Sequence, residues 1–216
     1  MKKTASIIVL MVCVFLSSCG KNAKVIQKIT SAVQSVYSSS ELSDSELELL
    51  VAGEDVPINN RYYYLSHSQF MDFRENIGAS STETPSGIDG FWSCTIEEGN
   101  ISRYSEGGAY SILIQCMDYS SNSKAKDCFD DAHDPDYMTD VNCIAEHNYE
   151  DDSVKSYYKI YTGGGADLVY CRIVQLDGDT VTTITLRCSD DMFDVVRDEF
   201  LELCDRLSIN DPFPTD

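Results

Sequence analysis

The stretch from Ser153 to Ile209 constrains the fold more than any other. Tyr157–Tyr161, Leu168–Gln175 and Thr180–Arg187 are rich in β-branched and aromatic residues. They are separated by Thr162-Gly-Gly-Gly-Ala-Asp167 and by Leu176-Asp-Gly-Asp-Thr180. The Asp177-Gly178 pair predicts a tight hairpin, because glycine accepts the positive φ that a primed turn requires. After Cys188-Ser-Asp-Asp-Met192, where Ser189 or Asp190 can cap a helix, Phe193, Val196, Phe200, Leu203, Cys204 and Leu207 recur at helical spacing. Three antiparallel strands closed by an amphipathic helix must form a core. The expected fold class is therefore α+β, an antiparallel sheet with the C-terminal helix packed on it.

Upstream, Phe91–Glu97 and Ala109–Tyr119 alternate like strands, Ser123–Phe129 suits a short helix, and Val141–Tyr149 starts the final sheet. Ser43-Asp-Ser-Glu46 and Ser66-His-Ser-Gln69 are capping-box patterns. The first opens a helix running to Gly53. The second opens one with Phe70, Phe73 and Ile77 on one face and Gly78 as its stop; His67 in its first turn is expected to be exposed. Between them, Arg61-Tyr-Tyr-Tyr-Leu65 reads as a short extended piece. Ala79–Gly90, rich in Ser, Thr, Gly and Pro, reads as a linker between a helical N-terminal part and a sheet-rich part.

The N-terminus gives an address. Met1-Lys-Lys-Thr-Ala-Ser is basic, and Ile7–Leu16 is a ten-residue apolar run, too short for a bilayer that needs about 20 apolar residues. Leu16-Ser17-Ser18-Cys19-Gly20 follows and resembles the lipobox of a bacterial lipoprotein. That resemblance implies cleavage before Cys19, a diacylglycerol on its thiol, and acylation of the new amine with palmitate or a similar chain. Two or more acyl chains, at about 0.8 kcal/mol per CH₂, give stable anchoring. The competing reading is an ordinary signal peptide cut nearby, or an uncleaved anchor. Beyond it, Lys24–Tyr37 places Val25, Ile26, Ile29, Val33, Val36 and Tyr37 on one helical face, with Lys21, Lys24 and Lys28 near the anchor. Such a helix can rest on anionic headgroups, pack on its own domain, or act as a stalk.

The formal net charge is -20. Removing a leader that carries Lys2 and Lys3 leaves 14 basic against 36 acidic residues, or -22. A charge of that sign repels phosphate backbones, so a nucleic-acid partner is not expected.

The order of elements over residues 88–210 resembles the PsbP-like α/β/α sandwich. An aromatic-centred strand (Phe91-Trp92) is followed by Ser111-Ile-Leu-Ile-Gln-Cys116, a short helix, a long meander ending in Thr182-Thr-Ile-Thr-Leu-Arg187, and the terminal helix. The resemblance implies an accessory or binding module and carries no catalytic residue set. The organisation expected is a signal peptide (1–18), a membrane-proximal segment of short N-terminal helices with a linker (19–87), an α+β domain (88–210) and a tail (211–216).

Seven cysteines remain besides Cys13 and Cys19. Cys94 is in phase with Trp92 and Ile96, Cys116 with Ile112 and Ile114, and Cys188 with Ile184 and Leu186. Cys204 lies in the stripe of the last helix, so these read as small apolar core residues. Seven cannot all pair within one chain, and connectivity stays open. Cys128 and Cys143 are the disulfide candidates, since they bracket the acidic loop and closing about 15 residues contributes roughly 3 kcal/mol.

That loop concentrates the polar chemistry. Asp130, Asp131, Asp134 and Asp136 with His133, flanked by Asp127 and Asp140, offer hard oxygens for Ca²⁺. The EF-hand pattern is missing, with no glycine at the sixth position and no closing glutamate, and a solvated acidic turn accounts for the same residues. Cys128-x₄-His133 and Cys143-x₃-His147 do not follow the order of structural zinc sites. Gly107-Gly108 and Gly163-Gly-Gly165 lack the Lys and Ser/Thr of a phosphate loop, and neither G-x-S-x-G nor H-E-x-x-H occurs.

The function expected is that of a membrane-anchored, extracytoplasmic lipoprotein of the bacterial cell envelope. It is a non-catalytic accessory module for a protein or small ligand, with no cofactor. The alternative is a metal-dependent envelope enzyme using the 127–140 loop.

Overall fold

A computed structural model describes residues 23–79, 86–131, 142–151, 153–163 and 166–213, with backbone alone at 105, 142–150, 156–163 and 166–167. Its frame is an eight-stranded sheet of β1 (Ser40–Glu41), β2 (Arg61–Ser66), β3 (Ile88–Glu98), β4 (Tyr110–Tyr119), β5 (Asn142–Glu150), β6 (Val154–Gly163), β7 (Ala166–Asp177) and β8 (Thr180–Ser189). The spatial order is β1-β2-β3-β4-β8-β7-β6-β5. The β1–β2 pair is parallel and the others are antiparallel.

The meander of the last strands forms as its composition requires. Asp177 pairs with Thr180 across Gly178 and Asp179, and Gly178 has φ +62°. Positive φ at the first central residue is the type II′ pattern, whose twist suits a hairpin. β8 then turns outward from β7 to pair with β4, with Ile114 opposite Ile184 and Ile112 opposite Leu186. This places β8, most of whose side chains are buried, in the middle of the sheet.

Helices cover both faces. On one lie α1 (Ala23–Tyr37) and α5 (Asp190–Arg206). They pack Ile29, Val33, Phe200 and Leu203 against Trp92, Ile114, Ile173 and Ile184. On the other lie α2 (Asp44–Val51), α3 (His67–Asn76) and α4 (Asn122–Asp131). There Leu50, Phe70 and Phe129 meet Leu65, Phe91, Val174 and Val181. The chain is thus a mixed α/β sandwich with its C-terminal helix on the sheet. Among the described residues no helix is long and apolar enough to cross a membrane.

The N-terminal segment takes part in this core. Strand β2 pairs with β3 along its whole length, Tyr64 opposite Trp92. Helix α1 packs on α5, and Lys28 Nζ donates to the carbonyl of Leu207 at 3.0 Å. Of the three roles open to this helix, packing on its own domain is the one the structure displays. Part of the expected linker is strand as well, since Ile88 pairs with Tyr119 and Gly90 with Asp118. Ile77, expected on the buried face of α3, is 50% exposed, because the helix ends at Asn76 and Ile77 is its C-cap. Both capping boxes form, with Ser43 N–H donating to Glu46 and Ser66 N–H to Gln69.

The in-phase cysteines are where their alternation put them. Cys94, Cys116, Cys188 and Cys204 are buried free thiols on the α1/α5 face, joined there by Cys171. Burial pushes the thiols of Cys94, Cys188 and Cys204 up to about 12, and those of Cys116 and Cys171 upward for the same reason.

Candidate functional site

Beside β1 and β2, where α1 and α2 diverge over opposite faces, a groove of about 720 Å³ opens. Its aromatic wall follows from the period of two in a strand. Tyr62 and Tyr64 project to one side of β2, and the register with β3 sets Tyr64 opposite Trp92. Tyr62 stacks on Trp92 with ring centres 5.8 Å apart and planes at 24°. Gln34 of α1 donates to the Tyr62 hydroxyl at 3.0 Å, fixing that ring from above. Tyr64 is 37% exposed and lies across the backbone of Gly90, where any Cβ would collide with its hydroxyl end. Trp92 is 1% exposed, and its indole N–H has no partner among the described residues.

The second wall comes from α1, with Ile26 and Thr30, and the third from the β1–α2 corner, with Leu42 and Leu47. Glu41 and Asp44 add two carboxylates at that corner. Partial burial, and then the nearby Asp44 carboxylate, push the Glu41 carboxyl above its usual value. No basic side chain pairs with either among the described residues. The adjacent cation, Arg61, is committed to Glu46 and to the backbone carbonyl of Glu41. The groove therefore joins aromatic and aliphatic surface to negative charge, with no basic residue in its lining among the described residues.

The residues singled out in the sequence lie elsewhere. Cys19 falls outside the described residues, as do His133, Asp134, Asp136 and Asp140. Asp130 and Asp131 end α4. The Asp130 carboxylate accepts from Lys126 at 2.8 Å and Lys155 at 3.5 Å, and the Lys126 hydrogen bond leads in holding its pKa below the ordinary value. Lys155 also sits over the Phe129 ring, 4.8 Å from its centre. Among the described residues no group of three or more His, Cys, Asp or Glu side chains is arranged to hold a metal ion.

Cys128 carries a free, half-buried thiol beside the Tyr119 hydroxyl. The side chains of Cys143 and His147 lie outside the described residues. His67 is exposed, with Nδ1 against the carbonyl of Ile88. Gly107 and Gly108 form a turn with φ +78° and +67°, whose Gly108 N–H donates to the Asp191 carboxylate at 3.0 Å. It ties the β3–β4 connection to the start of α5.

No protein-family model matches the chain, and no curated protein matches it by sequence. Several solved structures align with parts of it. The extracellular domain of PknH from Mycobacterium tuberculosis aligns over 77% of this chain and 92% of its own, with a TM-score of 0.40 and 8% identity. LpqN of the same organism, described as involved in cell envelope biogenesis, aligns over 69% of this chain and 78% of its own, with 0.31 and 9%. The cyanobacterial PsbP of Synechocystis aligns over 67% and 79%, with 0.30 and 11%. None of these assigns the chain a family. At such scores and identities they assign no function either.

Proposed function

We propose that the chain is an extracytoplasmic lipoprotein of the bacterial envelope, tethered through Cys19, whose folded domain is a non-catalytic binding module with its ligand seat in the groove between α1 and α2. The observation that carries this reading is the position of the groove relative to the lipobox. Leu16-Ser17-Ser18-Cys19 stands four residues before the start of α1, and Ile26 of that helix lines the groove. Four extended residues span at most about 14 Å, and three helical residues rise about 4.5 Å, so the Ile26 wall stands within roughly 20 Å of the anchored cysteine. A cavity of this size lies in the range of small-molecule sites, about 300–1,000 Å³.

Two measurements test it. In a bacterial host fed an alkyne-tagged palmitate, the wild-type chain takes up label and Cys19→Ala does not. Equal labelling of the two, or none of either, ends the anchor reading. Native mass spectrometry of the chain purified from that host gives a discrete small-molecule adduct that Thr30→Trp, which fills the groove, abolishes without loss of fold by circular dichroism. An adduct indifferent to Thr30→Trp ends the groove reading, and a bare mass for the wild type does the same.

A further inference from the structure

The groove's chemistry narrows what it can take, granted that it is the ligand seat. Its rings and its charges favour the same kind of group. Tyr64 lines the groove and is 37% exposed, and on the same side of the strand Tyr62 and Trp92 form a stacked pair. Glu41 and Asp44 lie on the lining, and among the described residues they have no basic partner and the lining contains no Lys, Arg or His. Such a surface repels anions, and a chain of net charge -20 reinforces that over longer range. A cation gains from both walls, because aromatic faces carry a negative quadrupole and carboxylates a full charge. The apolar side chains of Ile26, Leu42 and Leu47 supply contact for an organic body rather than for a bare, strongly hydrated ion. A separate observation also points to a ligand: Trp92, buried and lining the same groove, has an indole N–H with no partner among the described residues, and a buried donor of this kind calls for an acceptor on the ligand's organic body, not for its charge.

We propose that the groove between α1 and α2 binds a small organic cation, its ammonium group over Tyr64 and beside Glu41 and Asp44, its apolar part against Ile26, Leu42 and Leu47. Ammonium recognition by rings and carboxylates requires no covalent step, so the site is one of binding alone.

The test uses the mature chain, residues 19–216 with Cys19→Ala, which contains every described residue. Trp92 is its one tryptophan, so indole fluorescence reports the groove directly. Calorimetry runs in parallel. The probes are choline, tetramethylammonium and 3,3-dimethylbutan-1-ol, the last being the uncharged isostere of choline. The two cations bind saturably, and the neutral isostere binds roughly ten-fold more weakly. Glu41→Gln removes most of that preference while the fold stays intact by circular dichroism, since the carboxylate is in no ion pair among the described residues. Tyr64→Leu weakens the cations more than the isostere.

If the isostere binds as tightly as choline, the groove is an apolar site and the cation assignment falls while the binding reading stands. If neither cation gives a saturable response by either method, the assignment falls, and the native adduct measured above decides the binding reading on its own. Cation binding that Glu41→Gln and Tyr64→Leu both leave untouched places the ligand elsewhere and overturns the inference.

Discussion

Arg61 holds the carboxylate of Glu46 with both arms of its guanidinium, Nη1 to Oε1 at 2.6 Å and Nη2 to Oε2 at 2.7 Å. The same carboxylate accepts from the backbone N–H and the hydroxyl of Ser43, so one side chain closes the α2 capping box and ties that helix to β2. The Arg61 and Ser43 hydrogen bonds hold the Glu46 carboxyl well below its usual value of 4.5. A carboxylate with a lowered folded pKa adds stability that is present above its unfolded pKa and lost as the pH falls through the folded one. Glu46→Gln therefore lowers the urea midpoint at pH 7. Its deficit shrinks as both proteins are titrated below pH 4.5, toward the lower pKa of the folded state. A deficit constant between pH 7 and pH 2 is inconsistent with the pairing.

Helix α1 tests whether the N-terminal segment is structural. Val33 is fully buried between α1 and the sheet, so Val33→Ala costs roughly 1.5–3 kcal/mol in urea unfolding of the unlipidated chain. Lys28→Met, which leaves the Leu207 carbonyl at the end of α5 with only the longer bond from Gln175 at 3.4 Å, costs about 0.5–1.5 kcal/mol. A helix that served only as a stalk leaves the unfolding of the remaining domain unchanged in both variants.

The thiols follow burial. At pH 8 an alkylating reagent modifies Cys128 first among Cys94, Cys116, Cys128, Cys171, Cys188 and Cys204, because it alone of these is part-exposed. Its own pKa is raised, by burial first, so even this reaction is slow compared with a free peptide thiol. All six react in denaturant. Peptide mapping without reductant also shows directly whether Cys128 is linked to Cys143.

Gly90→Ala tests the groove wall. The strand conformation tolerates alanine, but the new methyl collides with the hydroxyl end of Tyr64. Moving one flexible ring costs little, so stability stays within about 1 kcal/mol of wild type. Tyr64 leaves its place beside Trp92, and the single-tryptophan emission and choline affinity both change.

Local signals carried much of this architecture. Both capping boxes, the Gly178 turn, the phase of Cys94, Cys116 and Cys188, and the stripe of Val196, Phe200 and Leu203 are dictated by neighbours within a few residues. Non-local pairing left no such trace. Ser40-Glu41 has no strand character of its own, and it is strand only because Arg61 and Tyr62 accept it in parallel. The groove was invisible for the same reason, since its walls come from residues 26–30, 41–47, 62–64 and 92, four segments related only through the sheet register. The 127–140 loop drew attention through composition, yet its one carboxylate with described partners, Asp130, is occupied by lysines.

The contact between Lys28 and Leu207 joins residues 179 positions apart, and around it the first helix and the last share one core. Ordering of that kind is slow, because the loop must close before its contacts stabilise anything. During synthesis from the N-terminus α1 is complete long before α5 emerges, and in that interval Ile29 and Val33 lack Phe200 and Leu203, with which they share a core. The arrangement postpones closure of this core until the final helix is available.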